Sequence, residues 1–256
     1  MRSMFLAHGS PMNALADNEY TRFLNRLGGK TAPAAVVVAS AHWESDDLTV
    51  TRTDRVYETV YDFYGFPDEL YRIRYPARGS SDLSDEIALC LHSAGFACRA
   101  DEERGMDHGS WTLLLHLFPQ ADVPVVQMSL NASLEAGEQI RLGQALSLLG
   151  DRNVLFVGSG VTVHNLRRLD WSKGFDAPAD SWAVEFDDWL LGHSGPGAVG
   201  QLENYLNAAP HARAAAPTPE HFVPWLLARG AGSAGTPTLL HRGYEMGNLS
   251  YLAVEF

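Results

Sequence analysis

The chain is 256 residues long, 46% apolar and 20% charged, with a formal net charge of −12. That length buries a core without staples, and the composition is that of an ordinary globular protein. The negative balance disfavours nucleic acid and anionic lipid as partners, no apolar run approaches a membrane span, and two cysteines, Cys90 and Cys98, cannot make a disulfide framework.

The opening residues, Met1-Arg2-Ser3-Met4-Phe5-Leu6-Ala7-His8, turn polar too soon for a signal peptide, so a cytoplasmic location is expected. Met4 to Ala7 reads as a short strand running into His8-Gly9-Ser10-Pro11. Asn18 to Leu27 is expected as a helix with Tyr20, Phe23, Leu24 and Leu27 on one face, stopped by Gly28-Gly29. Ala34 to Ala39 is a continuous apolar run, the pattern of a strand covered on both faces, and it ends in Ser40-Ala41-His42-Trp43. Residues 45 to 80 are irregular, a strand followed by an excursion rich in Asp, Tyr, Phe and Pro.

Ser81 to Ala94 is a helix with Leu83, Ile87, Cys90 and Leu91 inward, and Phe96 to Ala100 an edge strand; both cysteines are expected to be buried thiols without a chemical role. Asp107-His108-Gly109-Ser110-Trp111 opens a short helix that runs through Phe118. Val123 to Leu130 is a strand, Leu134 to Leu149 an amphipathic helix ended by Gly150, and Asn153 to Gly158 a further apolar strand leading to Gly158-Ser159-Gly160 and His164. Ser181 to Leu191 and Pro219 to Arg229 are helices, Gly192 to Thr218 a loop with a helical piece, and Tyr251 to Phe256 a last strand. Strands alternating with helices from end to end point to one α/β domain over residues 1–256, with a mostly parallel central sheet flanked by helices.

Ten histidines carry the chemical signal. His8, His42 and His164 each follow an apolar strand, and ligands of open α/β sheets bind beyond the carboxyl ends of the strands. His221 is a fourth candidate. Thr218 can cap the helix and Pro219 suits its first position, which puts His221 in the first turn, where the helix dipole favours the neutral imidazole that binds metal. Glu220 beside it is another possible ligand. For His92, His116, His193, His211 and His241 a structural role is the simpler reading. No compact metal motif is present, and Ser10, Ser110 and Ser159, though next to glycines, sit in no G-x-S-x-G elbow. Gly158-Ser159-Gly160 is too short for a dinucleotide fingerprint.

Six segments occur in order: His8-Gly9-Ser10-Pro11-Met12, Ser40-Ala41-His42-Trp43, Asp107-His108-Gly109-Ser110-Trp111, Val163-His164-Asn165-Leu166, Thr218-Pro219-Glu220-His221 and Glu245-Met246-Gly247. Together they resemble the 4,5-DOPA extradiol dioxygenase-like branch of the class III extradiol ring-cleavage dioxygenases, over nearly the whole chain. The catalytic subunit of protocatechuate 4,5-dioxygenase is a more distant relative. The resemblance implies a one-domain α/β fold with a mononuclear metal site held by His8, His42 and His221. Glu220 stays an alternative to His221, because the distant relatives use a carboxylate there. His164 matches either the active-site base or a fourth metal ligand. His108 matches a second catalytic histidine that hydrogen-bonds substrate or oxygen.

The implied cofactor is Fe(II) for dioxygenase activity, with Zn(II) possible in the isolated protein. The implied partners are a small-molecule catechol and O2, and the product is a muconic semialdehyde. A zinc-dependent hydrolase or lyase on the same site is the alternative, and a non-catalytic metal-binding relative a third reading. Trp43, Tyr61, Phe63, Tyr64, Phe66 and Trp111 flank the motifs as candidate walls for an aromatic ring, with more than half expected to be core residues. Arg72, Arg74 and Arg78 are candidate partners for a substrate carboxylate. Oligomeric state is not legible.

Overall fold

The computed structural model describes residues 1–150, 152–175, 177–232 and 235–256. Strand β1 (Arg2–Ala7) leads through a 3-10 turn at Pro11–Ala14 to helix α1 (Glu19–Gly28). Strands β2 (Ala35–Glu44) and β3 (Thr49–Thr51) precede an excursion with a 3-10 turn at Leu70–Arg72. Then come α2 (Ser81–Ser93), β4 (Arg99–Asp101), α3 (His108–Leu117), β5 (Val125–Leu130), α4 (Ala136–Leu146) and β6 (Val154–Gly160). The last part holds α5 (Ser181–His193), α6 (Val199–Glu203), α7 (Tyr205–Ala208), α8 (Ala212–Ala215), α9 (Val223–Ala231), β7 (Thr238–His241), β8 (Tyr244–Glu245), β9 (Leu249–Ser250) and β10 (Ala253–Glu255).

Eight strands form one sheet in the order β4-β3-β5-β2-β6-β1-β10-β7, and β8 pairs with β9 in a separate hairpin. The middle four strands, β5, β2, β6 and β1, are all mutually parallel. Antiparallel pairs join β3 to β5, β1 to β10 and β10 to β7. Successive side chains of a strand point to opposite faces, so the apolar runs divide between two cores. On one face Phe5, Val37, Ala39, Met128 and Phe156 meet Ile140, Leu146, Trp225 and Leu227 of α4 and α9. On the other, Met4, Leu6, Val36, Val38 and Val157 meet Tyr20, Leu24, Trp111 and Leu114 of α1 and α3. Covering both faces explains why the central strands are apolar without alternation.

Several elements differ from the sequence reading. β2 runs on to Glu44 instead of stopping at Ala39, with a break in its register against β5 between those residues, so His42 lies inside the irregular end of the strand. The edge strand sits at Arg99–Asp101, displaced from Phe96–Ala100. Residues 192 to 218 hold three short helices rather than one helical piece. Of the expected last strand, Ala253–Glu255 is the strand proper, and β7, β8 and β9 carry no clear strand pattern in the sequence. Cys90 and Cys98 are half-buried, not buried.

The helix expected from Pro219 begins at Val223, with Pro224 in its first turn. The Thr218 hydroxyl caps no backbone N–H there; it donates to Glu220 Oε1 at 2.8 Å. His221 therefore belongs to a turn ahead of the helix, and the dipole argument for its neutrality does not apply. Among the described residues no helix is long and apolar enough to cross a membrane.

Candidate metal centre

Three neighbouring parallel strands, in the order β2-β6-β1, end on the same edge of the sheet. β1 delivers His8, whose N–H bonds Gly160 O of β6 at 3.1 Å. The end of β2 carries His42, and the loop after β6 carries His164. The turn before α9 lies across the end of β6, where Val161 N–H donates to His221 O at 2.9 Å. A side chain at Gly160 would collide with that His221 carbonyl, so the small residue is what lets the turn approach. Asp107 caps α3 through Ser110 N–H, and the first residue of that helix is His108.

The result is one cluster of imidazoles. Ring centroids of His8 lie 4.9 Å from His42, 5.3 Å from His221 and 5.7 Å from His108. His42 lies 5.1 Å from His221 and 4.0 Å from His108, and His164 stacks on His221 at 3.6 Å and 12°. One ligand atom from each of His8, His42 and His221 falls within 4.8 Å of the others.

Hydrogen bonds set which nitrogen each ring presents. Ser159 Oγ donates to Gly109 O at 2.5 Å, so toward His8 Nδ1, 3.0 Å away, it can only accept. His8 therefore carries its proton on Nδ1. His221 Nδ1 donates to Glu220 Oε1 at 3.0 Å, and His42 Nδ1 lies 3.4 Å from Asp62 Oδ2. Carboxylates only accept, which leaves the Nε2 lone pair of His221 bare and favours the same form in His42. Nε2 of His8 and Nε2 of His42 are 3.2 Å apart. Two lone pairs at that distance repel unless a cation or a shared proton lies between them. Imidazole nitrogens each about 2.1 Å from one ion, at angles between a right angle and tetrahedral, lie about 3.0–3.4 Å apart. The donor set therefore fits a metal ion, and the acceptors on Nδ1 are partners of the kind such sites use to orient their ligands.

Electrostatics favour the metal-binding protonation state. Burial, then the charges of neighbouring His42 and His221, hold the His8 pKa well below its usual value. Burial, then His108 and His221, lower His42 to about 2. Burial, then His221, lowers His164 to about 3, against an opposing pull from Glu220. Burial pushes the Glu220 and Asp62 carboxyls up, but hydrogen bonds from His221 and His108 outweigh it and hold each at about 2.

Glu220 is thus committed through Oε1 to His221 and Thr218, although it also groups with His164 and His221 as a possible donor set. Of the remaining histidines, His116 bonds Asn13 O, His193 bonds Trp189 O, His211 pairs with Glu185, His241 stacks on Phe23 and His92 is exposed. None of them joins a potential metal group among the described residues.

The aromatic candidates separate. Trp43 and Trp111 are buried, Tyr61, Phe63 and Phe66 are half-buried, and Tyr64 is 92% exposed. Phe63 packs edge-on against His108 at 5.5 Å and Tyr61 against Phe63 at 6.0 Å, so this wall reaches the histidines. Arg74 lies over Tyr61 at 5.1 Å, two rings from His108; Arg72 and Arg78 are exposed. A cleft of about 550 Å³ lined by Val56, Tyr57, Glu58, Thr59, Arg74 and Pro76 contains none of the histidines.

Three residues were missed as parts of the site. Asp62 hides in the irregular excursion, where no periodicity marks it. Ser159, in sequence only a serine beside glycines, serves His8. Asp107 accepts Ser40 Oγ at 2.7 Å and Arg104 at 3.2 Å, and Arg104 reaches on to His42 O, so it ties the end of β2 to the start of α3.

Residues 3–254 match the family model described as the catalytic LigB subunit of aromatic ring-opening dioxygenase. A protein named 4,5-DOPA dioxygenase extradiol from Escherichia coli (strain K12) is 40% identical over 261 residues, covering 100% of this chain and 94% of that protein. One of the same name from Beta vulgaris is 37% identical over 260 residues, covering 99% of this chain and 96% of that protein. A crystal structure of an uncharacterized protein from Escherichia coli K12 superposes with a TM-score of 0.84 at 37% identity, covering 100% of this chain and 99% of that one.

Proposed function

Since the chain belongs to the family of the catalytic LigB subunit of aromatic ring-opening dioxygenase, and is an extradiol ring-opening enzyme, we propose that it opens a DOPA-like or otherwise substituted catechol with O2 to a muconic semialdehyde, using iron(II) held by His8, His42 and His221 within one catalytic domain spanning residues 1–256. The observation that carries this reading is the convergence of imidazoles whose Nδ1 atoms face Ser159, Asp62 and Glu220 while the Nε2 atoms of His8 and His42 meet at 3.2 Å. Bound there, iron(II) would supply a Lewis acid that lowers a phenol pKa and a redox centre between ring and oxygen; zinc, without redox chemistry, would supply only the first.

The protein's own groups do the rest. His164 is half-buried with its pKa held at about 3, and no hydrogen bond from another described residue occupies its ring. It is free to accept the proton of a substrate hydroxyl as general base. Its stacking on His221 keeps it at the edge of the donor set, which favours the base over a fourth ligand. His108 donates a hydrogen bond from Nδ1–H to Asp62 Oδ2 at 3.0 Å, so its Nε2 is the nitrogen left to take up and hand on a proton during ring opening. Phe63, edge-on to His108, offers a face for the catechol ring.

The expected partners are small molecules rather than nucleic acid or membrane, and the expected setting is the cytoplasm. The names of the relatives do not favour the hydrolase or lyase alternative. Anaerobic loading with iron(II), then addition of oxygen and a catechol panel that includes DOPA, tests the proposal. A yellow ring-opened product with stoichiometric oxygen uptake is expected, and none with zinc. Iron-loaded protein that consumes no oxygen with any catechol would sink it.

A further inference from the structure

We propose that Asp62 is a positioning residue that one carboxylate makes common to two imidazoles, the ligand His42 and the proton-handling His108; the inference rests on those two assignments. Asp62 Oδ1 accepts the His108 backbone N–H at 2.9 Å. Its Oδ2 accepts His108 Nδ1–H at 3.0 Å and lies 3.4 Å from His42 Nδ1, a looser contact than a formed hydrogen bond. An ionised carboxylate has no proton to give, so every nitrogen facing it must bring one. His108 therefore carries hydrogen on Nδ1 and keeps a bare Nε2, and the same carboxylate, at the longer distance, favours that form in His42. In His42 that is the nitrogen a metal takes; in His108 it is the nitrogen that exchanges protons with substrate.

The carboxylate is held in place from both sides. Tyr61 OH donates to Ile73 O at 2.6 Å, Trp111 Nε1–H donates to Val60 O at 2.9 Å, and Val60 N–H donates to Met106 O at 2.8 Å. Phe63 packs edge-on against the His108 ring. The same three-residue stretch, Tyr61-Asp62-Phe63, thus supplies an aromatic wall and fixes the tautomers of the histidines behind it.

Asparagine at this position fails in either orientation. With its NH2 in place of Oδ2, a donor faces both Nδ1 atoms, and the rings must move their protons to Nε2. With its NH2 in place of Oδ1, a donor faces the His108 backbone N–H. Glutamate keeps the acceptor chemistry and changes only the reach.

The test uses the full-length chain carrying Asp62→Asn or Asp62→Glu. Calorimetric titration of the metal-free protein with Zn(II) reads the donor set without redox chemistry. Nitrogen-15 NMR of the metal-free protein reads the imidazole tautomers. In Asp62→Asn, zinc affinity is expected to fall about 10–100-fold, the range for outer-shell partners of metal-bound histidines. At least one of His42 and His108 moves from the Nδ1–H to the Nε2–H form, and cooperative unfolding stays near that of the unsubstituted protein. On any catechol of the panel above, kcat falls while KM changes little. Asp62→Glu restores the tautomers and part of the affinity.

Unchanged tautomers and zinc affinity in Asp62→Asn overturn the proposal, as does a loss that comes with general destabilisation and is not rescued by Asp62→Glu. His42→Ala run alongside separates the two failures. If it binds zinc like the unsubstituted protein, the ligand assignment is wrong, and the His108 tautomer in Asp62→Asn alone decides the role of Asp62.

Discussion

His8 shows how a single side chain is committed before any metal arrives. Its Nδ1–H is taken by Ser159, itself tied to Gly109 O, so only Nε2 faces His42. Ser159→Ala removes that acceptor and strands the Gly109 carbonyl, and metal affinity is expected to drop about 10–100-fold, as measured by competition with a chelator. His42→Ala is expected to abolish metal retention in elemental analysis of anaerobically purified protein; unchanged content would move the site elsewhere. His164→Phe should keep metal while oxygen uptake on a catechol disappears. An empty site in that variant would make His164 a ligand and require another base.

At the level of elements, two close fits assemble the cluster. The turn carrying His221 reaches the end of β6 because Gly160 presents no side chain to it. Gly160→Val overpacks that crossing and is expected to cost about 1–3 kcal/mol in denaturant unfolding, with weaker metal retention as His221 is pushed off. The β2–α3 junction depends on Asp107, which receives Ser40, Ser110 and Arg104 while 1% exposed. Asp107→Ala loses a helix cap and leaves buried donors unpaired, an expected loss of about 2–4 kcal/mol in the same measurement. An effect no larger than that of an exposed cap, under about 1 kcal/mol, would show that water replaces it.

For the whole molecule, the clustered histidines make stability depend on pH. His8, His42 and His164 titrate in the fold below their ordinary value of about 6.5, chiefly through burial. Below that value the unfolded chain binds protons that the folded one refuses, so stability is complete above it and falls as pH drops toward the folded values of about 2 for His42 and about 3 for His164. Each histidine contributes at most about 1.4 kcal/mol per pH unit. The first proton enters with the least penalty, because the mutual repulsion of the imidazolium ions starts with the second. The melting temperature of metal-free protein should therefore fall continuously from pH 7 to pH 4. Bound metal should raise the melting temperature at pH 7, by about 2.7 kcal/mol of stability when free metal is a hundredfold above its Kd. A metal-free protein equally stable at pH 7 and pH 4 would show that these rings do not titrate below their ordinary value.

The sequence by itself determined the class of fold, the central parallel strands and the histidines that follow them, because continuous apolar runs and glycine stops are local signals that survive without neighbours. It also marked His108, His164, His221 and Glu220 through their order in six short segments. It misplaced the start of α9 because Thr218-Pro219 imitates a cap whose hydroxyl goes to Glu220 instead. Only the tertiary structure decided which nitrogen each ring presents and what Asp62, Ser159 and Asp107 are for. Contacts behind those roles join residues 46 and 151 positions apart, between Asp62 and His108 and between His8 and Ser159. No periodicity along the chain encodes a contact of that kind; it exists only once β1, β2 and β6 lie side by side and their ends share one crevice.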